Sequence, residues 1–131
     1  MDFRTDKLLH GGDYNPEQWL KRPDILEKDI EMLEESGCNV VSVGMFSWST
    51  LEPEEGVFNF GWLQEIIDKL YKRGISTILS TPSGARPKWM ADKYPEVLRV
   101  DETRHRVLFG IRHNHCYTSP GHSEKTHIIN K

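Results

Sequence analysis

Three runs of β-branched and aliphatic residues, each followed by a loop rich in turn-forming residues, constrain the fold of this chain most strongly. The runs are Leu8–Gly12, Asn39–Met45 and Ile75–Thr81, and segments of helical length separate them. Such runs are typical of strands in a parallel sheet. The loops that follow parallel strands meet at one edge of the sheet, where α/β proteins bind their ligands. The alternation therefore predicts an α/β protein with three parallel strands.

Two amphipathic helices are predicted between these runs. Asp24–Ser36 combines an apolar stripe with a solvated face rich in carboxylates, and Gly37 follows it. Gly61–Arg73 has a similar stripe and is followed by Gly74, in the position that favours a left-handed backbone. Three strands cannot close a barrel, which needs about eight. Residues 1–131 are therefore interpreted as one domain that belongs to something larger.

The chain beyond the third strand is predicted to form an elaborate loop before a last helix begins. Residues 90–96 indicate a short helix or turn, and residues 97–101 and 107–111 indicate a small hairpin. Ser119 and Pro120 are typical of the N-cap and the first residue of a helix.

Composition argues against several classes of protein. Hydrophobic residues make up 37% of the chain, so part of its apolar surface is expected to meet something outside it. The net charge of −3 gives no general attraction to nucleic acid or to acidic membranes. Two distant cysteines, Cys38 and Cys116, indicate reduced thiols. Without a long apolar run or a signal-peptide pattern, the expected location is the cytoplasm, with no membrane partner.

Carboxylates and aromatic residues in the strand-end loops are the first candidates for chemistry. Glycosidases need two carboxyl groups about 5–9.5 Å apart, a distance that sequence spacing cannot establish. A turn-forming role for Asp13 and a structural acceptor role for Glu52 are the favoured alternatives. Aromatic side chains in these loops suit stacking on sugar rings, or else pack over the strand ends. The carboxylates are Asp13, Glu17, Glu52, Glu54 and Glu55, and the aromatics are Tyr14, Trp19, Phe46, Trp48 and Trp89.

The densest group of chemically active residues is Arg112–Cys116, and five of the six histidines lie after Arg104. Imidazole and thiolate both bind zinc, but a structural zinc site needs four ligands, and a second chelating pair is not evident. The guanidinium of Arg112 suits paired oxygens of a carboxylate, a phosphate or vicinal hydroxyls. An ion-paired surface arginine is the alternative.

Several motifs together resemble the N-terminal part of the glycoside hydrolase family 42 β-galactosidases. The resemblance covers about residues 8–120, and its first motif is specific. The matching segments are Gly11–Trp19, Asn39–Trp48, Leu51–Leu63, Pro87–Trp89, Tyr94–Glu96 and Arg112–Pro120.

This resemblance implies a TIM-barrel retaining glycosidase that removes terminal β-galactosyl units, of which this chain would form about the first three βα units. Arg112 matches the arginine that contacts the sugar in the donor subsite, and Trp48 is a weaker substrate-binding candidate. Cys116 matches the first cysteine of a zinc cluster that many members contain, although no cofactor is required for the reaction. A β-galactoside substrate and a homo-oligomer are the expected partners.

Departures from the family pattern limit what this chain is expected to do alone. The family's acid/base glutamate follows an asparagine, and this sequence contains no Asn-Glu pair. The nucleophilic glutamate and the other zinc cysteines are expected beyond Lys131, and the residues after Pro120 are expected to depart from the family helix. We therefore predict that the catalytic residues are missing and that the 131-residue chain is inactive by itself.

Two other functions stay open. The chain could serve as a catalytically dead carbohydrate-binding or complementing module. Nucleic-acid binding is the other hypothesis. The net charge of only +2 over residues 99–117 supports it weakly, because nucleic-acid binding needs a strongly basic surface. Its candidate residues are Arg99, Arg104, Arg106, Arg112, Phe109 and Tyr117.

Overall fold

The computed structural model describes residues 7–110 and 114–130 and shows an α/β fold. One compact unit, the sheet unit, comprises the described parts of Met1–Val43 and Gly61–Ser80, and the other, the loop unit, those of Gly44–Phe60 and Thr81–Lys131. The strands and α-helices in chain order are β1 (Gly11–Asp13), α1 (Pro23–Glu35), β2 (Val40–Val43), α2 (Trp48–Leu51), α3 (Gly61–Lys72), β3 (Ser76–Leu79), α4 (Lys88–Lys93) and α5 (Pro120–Ile129).

The sheet unit contains three parallel strands in the order β1-β2-β3. Gly11 lies opposite Val40 in the register of β1 and β2, and Val40 lies opposite Ser76 in the register of β2 and β3. Helix α1 follows β1 in the chain and α3 follows β2. These strands confirm the predicted parallel α/β arrangement, although each is only three or four residues long.

The core of the sheet unit lies against its central strand. Val41 and Val43 of β2 are each 1% exposed, whereas Ile78 and Leu79 of β3 are 50% and 64% exposed. The stripes predicted for both helices supply most of the remaining core, because their spacing places these residues on one face of each helix. The buried helix residues are Leu26, Ile30, Leu63, Ile66 and Leu70.

Glycines define two tight features of the sheet unit. A side chain at Gly11 would place its Cβ 1.6 Å from the carbonyl oxygen of Val40, so the close pairing of β1 with β2 requires glycine here. Gly74 has a φ of +75°, and the next amide, that of Ile75, donates to the carbonyl of Leu70 across 3.0 Å. This is the left-handed helix end predicted from the sequence.

The loop unit is held together by short elements and by its own core. Trp48, Met90 and Val97 are each 0% exposed. The predicted hairpin is reduced to an antiparallel bridge between Val100 and Arg106, and residue 111 lies outside the described residues. Helix α5 begins at Pro120 as predicted, although the side chain of Ser119 makes no capping hydrogen bond.

Two further expectations can be compared with the described residues. Cys38 and Cys116 form no disulfide bond in the described structure, and their reduced state stays a prediction. Within residues 7–110 and 114–130, none of the helices is long and apolar enough to cross a membrane.

Candidate functional site

The loop after β2 is built around the carboxylate of Glu52, which is only 3% exposed. Its Oε2 accepts a hydrogen bond from the indole Nε1 of Trp48 across 2.8 Å, and its Oε1 accepts one from the amide of Gly56 across 2.8 Å. The backbone carbonyl of Glu52 accepts a third bond, from Nε1 of Trp89 across 2.9 Å. Glu52 is therefore the structural acceptor that the sequence favoured, with each carboxylate oxygen engaged.

Trp48 lies in α2, one helical turn before Glu52, and is 0% exposed. The predicted sugar contact does not fit this arrangement, because stacking requires an open ring face and this ring is packed on all sides. In the described structure Trp48 fills the core of the loop unit and holds Glu52 in place. A direct contact between Trp48 and a sugar stays a prediction that would require the side chain to move.

The carboxylate of Glu55 is held by three side chains of the loop unit. Its carboxylate contacts the ammonium groups of Lys93 in α4 and Lys125 in α5, the latter at 2.6 Å. Both carboxylate oxygens also accept from the hydroxyl of Tyr94, across 2.9 and 3.1 Å. Hydrogen bonds from Lys125 and then Lys93 lower the pKa of Glu55 to about 2. A glycosidase general acid needs a raised pKa, so Glu55 serves as an anchor and not as an acid.

The carboxylates of the sheet unit differ from one another. Asp13 is exposed at the end of β1. Glu17 is half-buried in the 3-10 helix Pro16–Trp19, and its Oε2 is buried without a hydrogen-bond partner among the residues that the structure describes. Nearby, burial of Tyr14 is the main cause that raises the pKa of its hydroxyl. Because no described hydrogen bond explains its buried oxygen, Glu17 is the loop carboxylate whose catalytic role most needs a direct test by mutation.

Two phenylalanines that the sequence analysis did not single out form an exposed aromatic surface in the loop unit. The rings of Phe58 and Phe60 lie parallel, with an angle of 8° and 5.7 Å between centroids. Their exposed fractions are 42% and 47%. The alternating pattern Phe58-Asn59-Phe60 was the available signal, because residues two apart share one side of an extended segment.

Arg112, the main predicted sugar contact, lies outside the described residues, as does His113. His115 is buried, and its Nδ1 lies 2.5 Å from Oδ1 of Asn114. Burial, with a smaller effect of Arg86, lowers the pKa of His115 to about 4. The imidazole of His115 is therefore neutral at neutral pH, and the substrate role of Arg112 stays a prediction.

Cys116, the predicted metal ligand, is half-buried, and its Sγ lies 3.1 Å from Oγ1 of Thr118. The hydrogen bond with the Thr118 hydroxyl lowers the pKa of the thiol, which favours the thiolate that zinc requires. Across residues 7–110 and 114–130, however, no three His, Cys, Asp or Glu side chains come together as a metal-binding group. The described residues alone do not complete a four-ligand zinc site.

Known proteins with similar sequences are β-galactosidases. The profile of glycoside hydrolase family 42, described as beta-galactosidase, matches residues 13–131. Beta-galactosidase Pbg of Clostridium perfringens is 58% identical over 131 residues, which is 100% of this chain and 19% of that protein. Beta-galactosidase BglY of Alicyclobacillus acidocaldarius is 58% identical over 124 residues, which is 95% of this chain and 18% of that protein.

Solved structures give the same result. The cold-adapted β-galactosidase from Rahnella sp. R3 superposes with a TM-score of 0.93 at 55% identity, over 98% of this chain and 19% of that one. The β-galactosidase from Bacillus circulans sp. alkalophilus gives a TM-score of 0.87 at 44% identity, over 94% of this chain and 18% of that one.

The extent of these matches corrects one expectation and shows how much of its relatives' length the chain covers. The match continues to residue 131, so the expected departure from the family after Pro120 is wrong. The chain spans 18–19% of the length of these curated relatives. By its match over residues 13–131, the chain belongs to glycoside hydrolase family 42, the β-galactosidase family.

Proposed function

We propose that this chain supplies about the first three βα units of a TIM-barrel β-galactosidase that removes terminal non-reducing β-D-galactosyl residues. The family match over residues 13–131 is the observation that carries the proposal. The sheet supports it, because each strand is parallel to the next in the order β1-β2-β3 and a helix intervenes each time. Successive parallel strands with intervening helices are the building units of a (β/α)8 barrel.

Arg112 is proposed to bind hydroxyl groups of the galactosyl ring in the donor subsite. Its resemblance to the family's sugar-binding arginine supports this role, as does the planar guanidinium, which can donate two parallel hydrogen bonds to vicinal oxygens. Glu52 and Glu55 are poor candidates for the two catalytic carboxyl groups, since hydrogen bonds from the protein engage both oxygens of each. We therefore propose that neither of these two glutamates is the acid/base or the nucleophile.

A chimaera tests this function directly. The 131 residues would replace the aligned segment of beta-galactosidase Pbg from Clostridium perfringens, to which they are 58% identical over their whole length. We expect the chimaera to hydrolyse nitrophenyl β-D-galactoside, because the replaced segment supplies an equivalent part of the barrel. An Arg112→Ala chimaera should lose about tenfold or more in kcat/KM, the effect of losing a charge-assisted hydrogen bond to the substrate.

Arg99→Ala is the matched control for Arg112, since Arg99 is an exposed arginine of the same unit. It should leave kcat/KM unchanged. A chimaera that folds but releases no nitrophenol would contradict the proposed function. Equal kcat/KM values for the Arg112→Ala and Arg99→Ala chimaeras would contradict the role of Arg112 alone.

A carbohydrate-binding or complementing module is the second candidate function, and the exposed pair Phe58 and Phe60 favours it. Two stacked aromatic rings that are partly exposed offer an apolar contact of the kind that sugar rings make with aromatic side chains. Calorimetric titration of galactose into the 131-residue chain tests the hypothesis of a carbohydrate-binding module. Saturable binding that Phe58→Ala abolishes would support a binding module, whereas absence of binding would remove it.

The zinc role of Cys116 is proposed only for the longer family architecture, in which other ligands would complete the site. Cys116→Ser in the chimaera should reduce the zinc content. Cys38→Ser should not, because Cys38 lies in the connection between α1 and β2 in the sheet unit.

A homo-oligomer and a cytoplasmic location are further proposals. Size-exclusion chromatography of the chimaera and fractionation of the producing cells test them.

A further inference from the structure

Arg86 is a buried cation in the loop unit, with only 5% of its surface exposed. No carboxylate forms an ion pair with it among residues 7–110 and 114–130. Burying a charge without a counter-charge is costly, and proteins normally pair such a group. Arg86 therefore lacks, among the described residues, the counter-charge that a buried cation normally has.

The partners of Arg86 are neutral. Its Nη2 lies 2.7 Å from Nε2 of His122, and its guanidinium lies 4.8 Å from the ring centroid of Tyr117. Arginine can only donate, so Nε2 of His122 accepts and the imidazole proton is on Nδ1, which donates to Oγ1 of Thr126 across 2.9 Å. Burial, with a smaller effect of Arg86, lowers the pKa of His122. Neither ring supplies a negative charge to Arg86.

One donor of Arg86 has no partner at all in the described structure. Its Nε is buried and makes no hydrogen bond with any described residue. An unmade hydrogen bond to a buried charged donor carries a larger penalty than one to a neutral group. The guanidinium thus retains both an uncompensated charge and an unused donor.

Arg86 lines a cavity of about 260 Å³, which we name the Arg86 cavity. The described residues that line it include several hydroxyl groups and no carboxylate. His122 and Ser123 belong to the first turn of α5, and the N-terminal end of a helix favours negative charge. The lining residues are Ser83, Arg86, Tyr117, His122, Ser123 and Thr126.

We propose that the Arg86 cavity binds a small oxyanion, with the guanidinium of Arg86 as its charged donor and the hydroxyls of Ser83, Ser123 and Thr126 as neutral donors. The planar guanidinium matches two oxygens of a phosphate, sulfate or carboxylate group. Binding would supply the missing counter-charge. This site goes beyond the proposed function, because it does not depend on galactoside binding or hydrolysis.

Calorimetric titration of the 131-residue chain with potassium phosphate, in a chloride buffer, tests the proposal. We expect saturable binding at one site. Arg86→Gln should weaken it about tenfold or more, since a hydrogen bond to a charged group contributes roughly 1.5–3 kcal/mol and 1.4 kcal/mol is tenfold. Arg99→Gln, which removes an exposed arginine of the same unit, should leave binding unchanged.

A second variant keeps the test valid if Arg86→Gln folds poorly. Ser123→Asp places a carboxylate on the lining of the cavity and should block phosphate binding while raising the Tm, because the protein then carries its own anion. Parallel titrations with sulfate and acetate distinguish the sources. Tighter binding of phosphate and sulfate assigns a free tetrahedral anion, and tighter binding of acetate assigns a carboxylate.

Two results would overturn the proposal. The first is the absence of saturable binding by the folded wild-type chain for all three anions. The second is equally weak binding by the wild type, Arg86→Gln and Arg99→Gln, which would show only non-specific attraction of anions.

Discussion

The indole of Trp48 donates a hydrogen bond to the carboxylate of Glu52 across 2.8 Å, and both side chains are buried. The carboxylate also accepts the amide of Gly56. An isolated buried carboxylate would be costly, but donors on both oxygens compensate for much of that cost. The buried hydrogen bonds of Trp48 and Glu52 therefore stabilise the conformation of the loop after β2.

Replacing Glu52 tests this structural role. In Glu52→Gln, the amide group presents one acceptor and one donor, so either Trp48 or Gly56 loses its acceptor. We expect the free energy of unfolding to fall by about 1–3 kcal/mol, the usual cost of an unsatisfied buried polar group. Urea unfolding of the 131-residue chain measures this change. Glu54→Gln is the matched control, since Glu54 is exposed, and equal stability of the two variants would contradict the role of Glu52.

Gly11 and Gly12 provide a second matched pair. The added Cβ of Gly11→Ala would lie 1.6 Å from the carbonyl oxygen of Val40, whereas at Gly12 it would have no atom within 4 Å. We expect Gly11→Ala to lower the free energy of unfolding by about 1–3 kcal/mol, because β1 must move away from β2. Gly12→Ala should change it by far less. Thermal unfolding followed by circular dichroism checks this, and similar Tm values would show that the β1–β2 register is wrong.

Glu55 predicts a specific loss of stability in acid. Its pKa lies at about 2 in the folded chain, below its ordinary value of 4.5. A lowered pKa contributes stability that is complete above 4.5 and is lost as the pH falls towards 2. Urea unfolding between pH 6 and pH 2 should therefore show a smaller fall in stability for Glu55→Gln than for the wild type.

The control for this pH dependence is again Glu54→Gln. It should retain the acid sensitivity of the wild type, since Glu54 lies beside Glu55 in the chain but is exposed. Identical profiles for the wild type and Glu55→Gln would show that Lys93, Lys125 and Tyr94 do not hold the Glu55 carboxylate as described.

Local patterns in the sequence predicted much of the sheet unit. Helical spacing predicted the apolar stripes of α1 and α3, which contain the buried residues Ile30 and Leu70, and the glycine after α3 marked its left-handed end. These features were predictable because they depend on neighbours within a few residues. Strand ends were less predictable. Strand β1 begins at Gly11 and extends to Asp13, one residue past the predicted run, and β2 and β3 are shorter than their runs. Pairing depends on the partner strand and not on composition alone.

The loop unit was harder to predict because its contacts join distant parts of the chain. The burial of Trp48 depends on how the loop folds over itself, although the four-residue spacing to Glu52 within a helical turn was an available signal. Glu55 forms ion pairs with Lys93 and Lys125, which lie far along the chain, and Arg86 donates a hydrogen bond to His122. Local spacing carries no information about such partners, so neither cluster was foreseen.

Nitrophenol release from nitrophenyl β-D-galactoside by the purified 131-residue chain tests the central claim that Glu52 and Glu55 have structural roles and that the chain alone is inactive. Hydrogen bonds engage Glu52 and Glu55, and a retaining glycosidase needs two carboxyl groups held in productive geometry. We predict no release above that of buffer. Release above background that disappears in Glu17→Gln or Glu52→Gln would contradict this account and would identify that glutamate as catalytic.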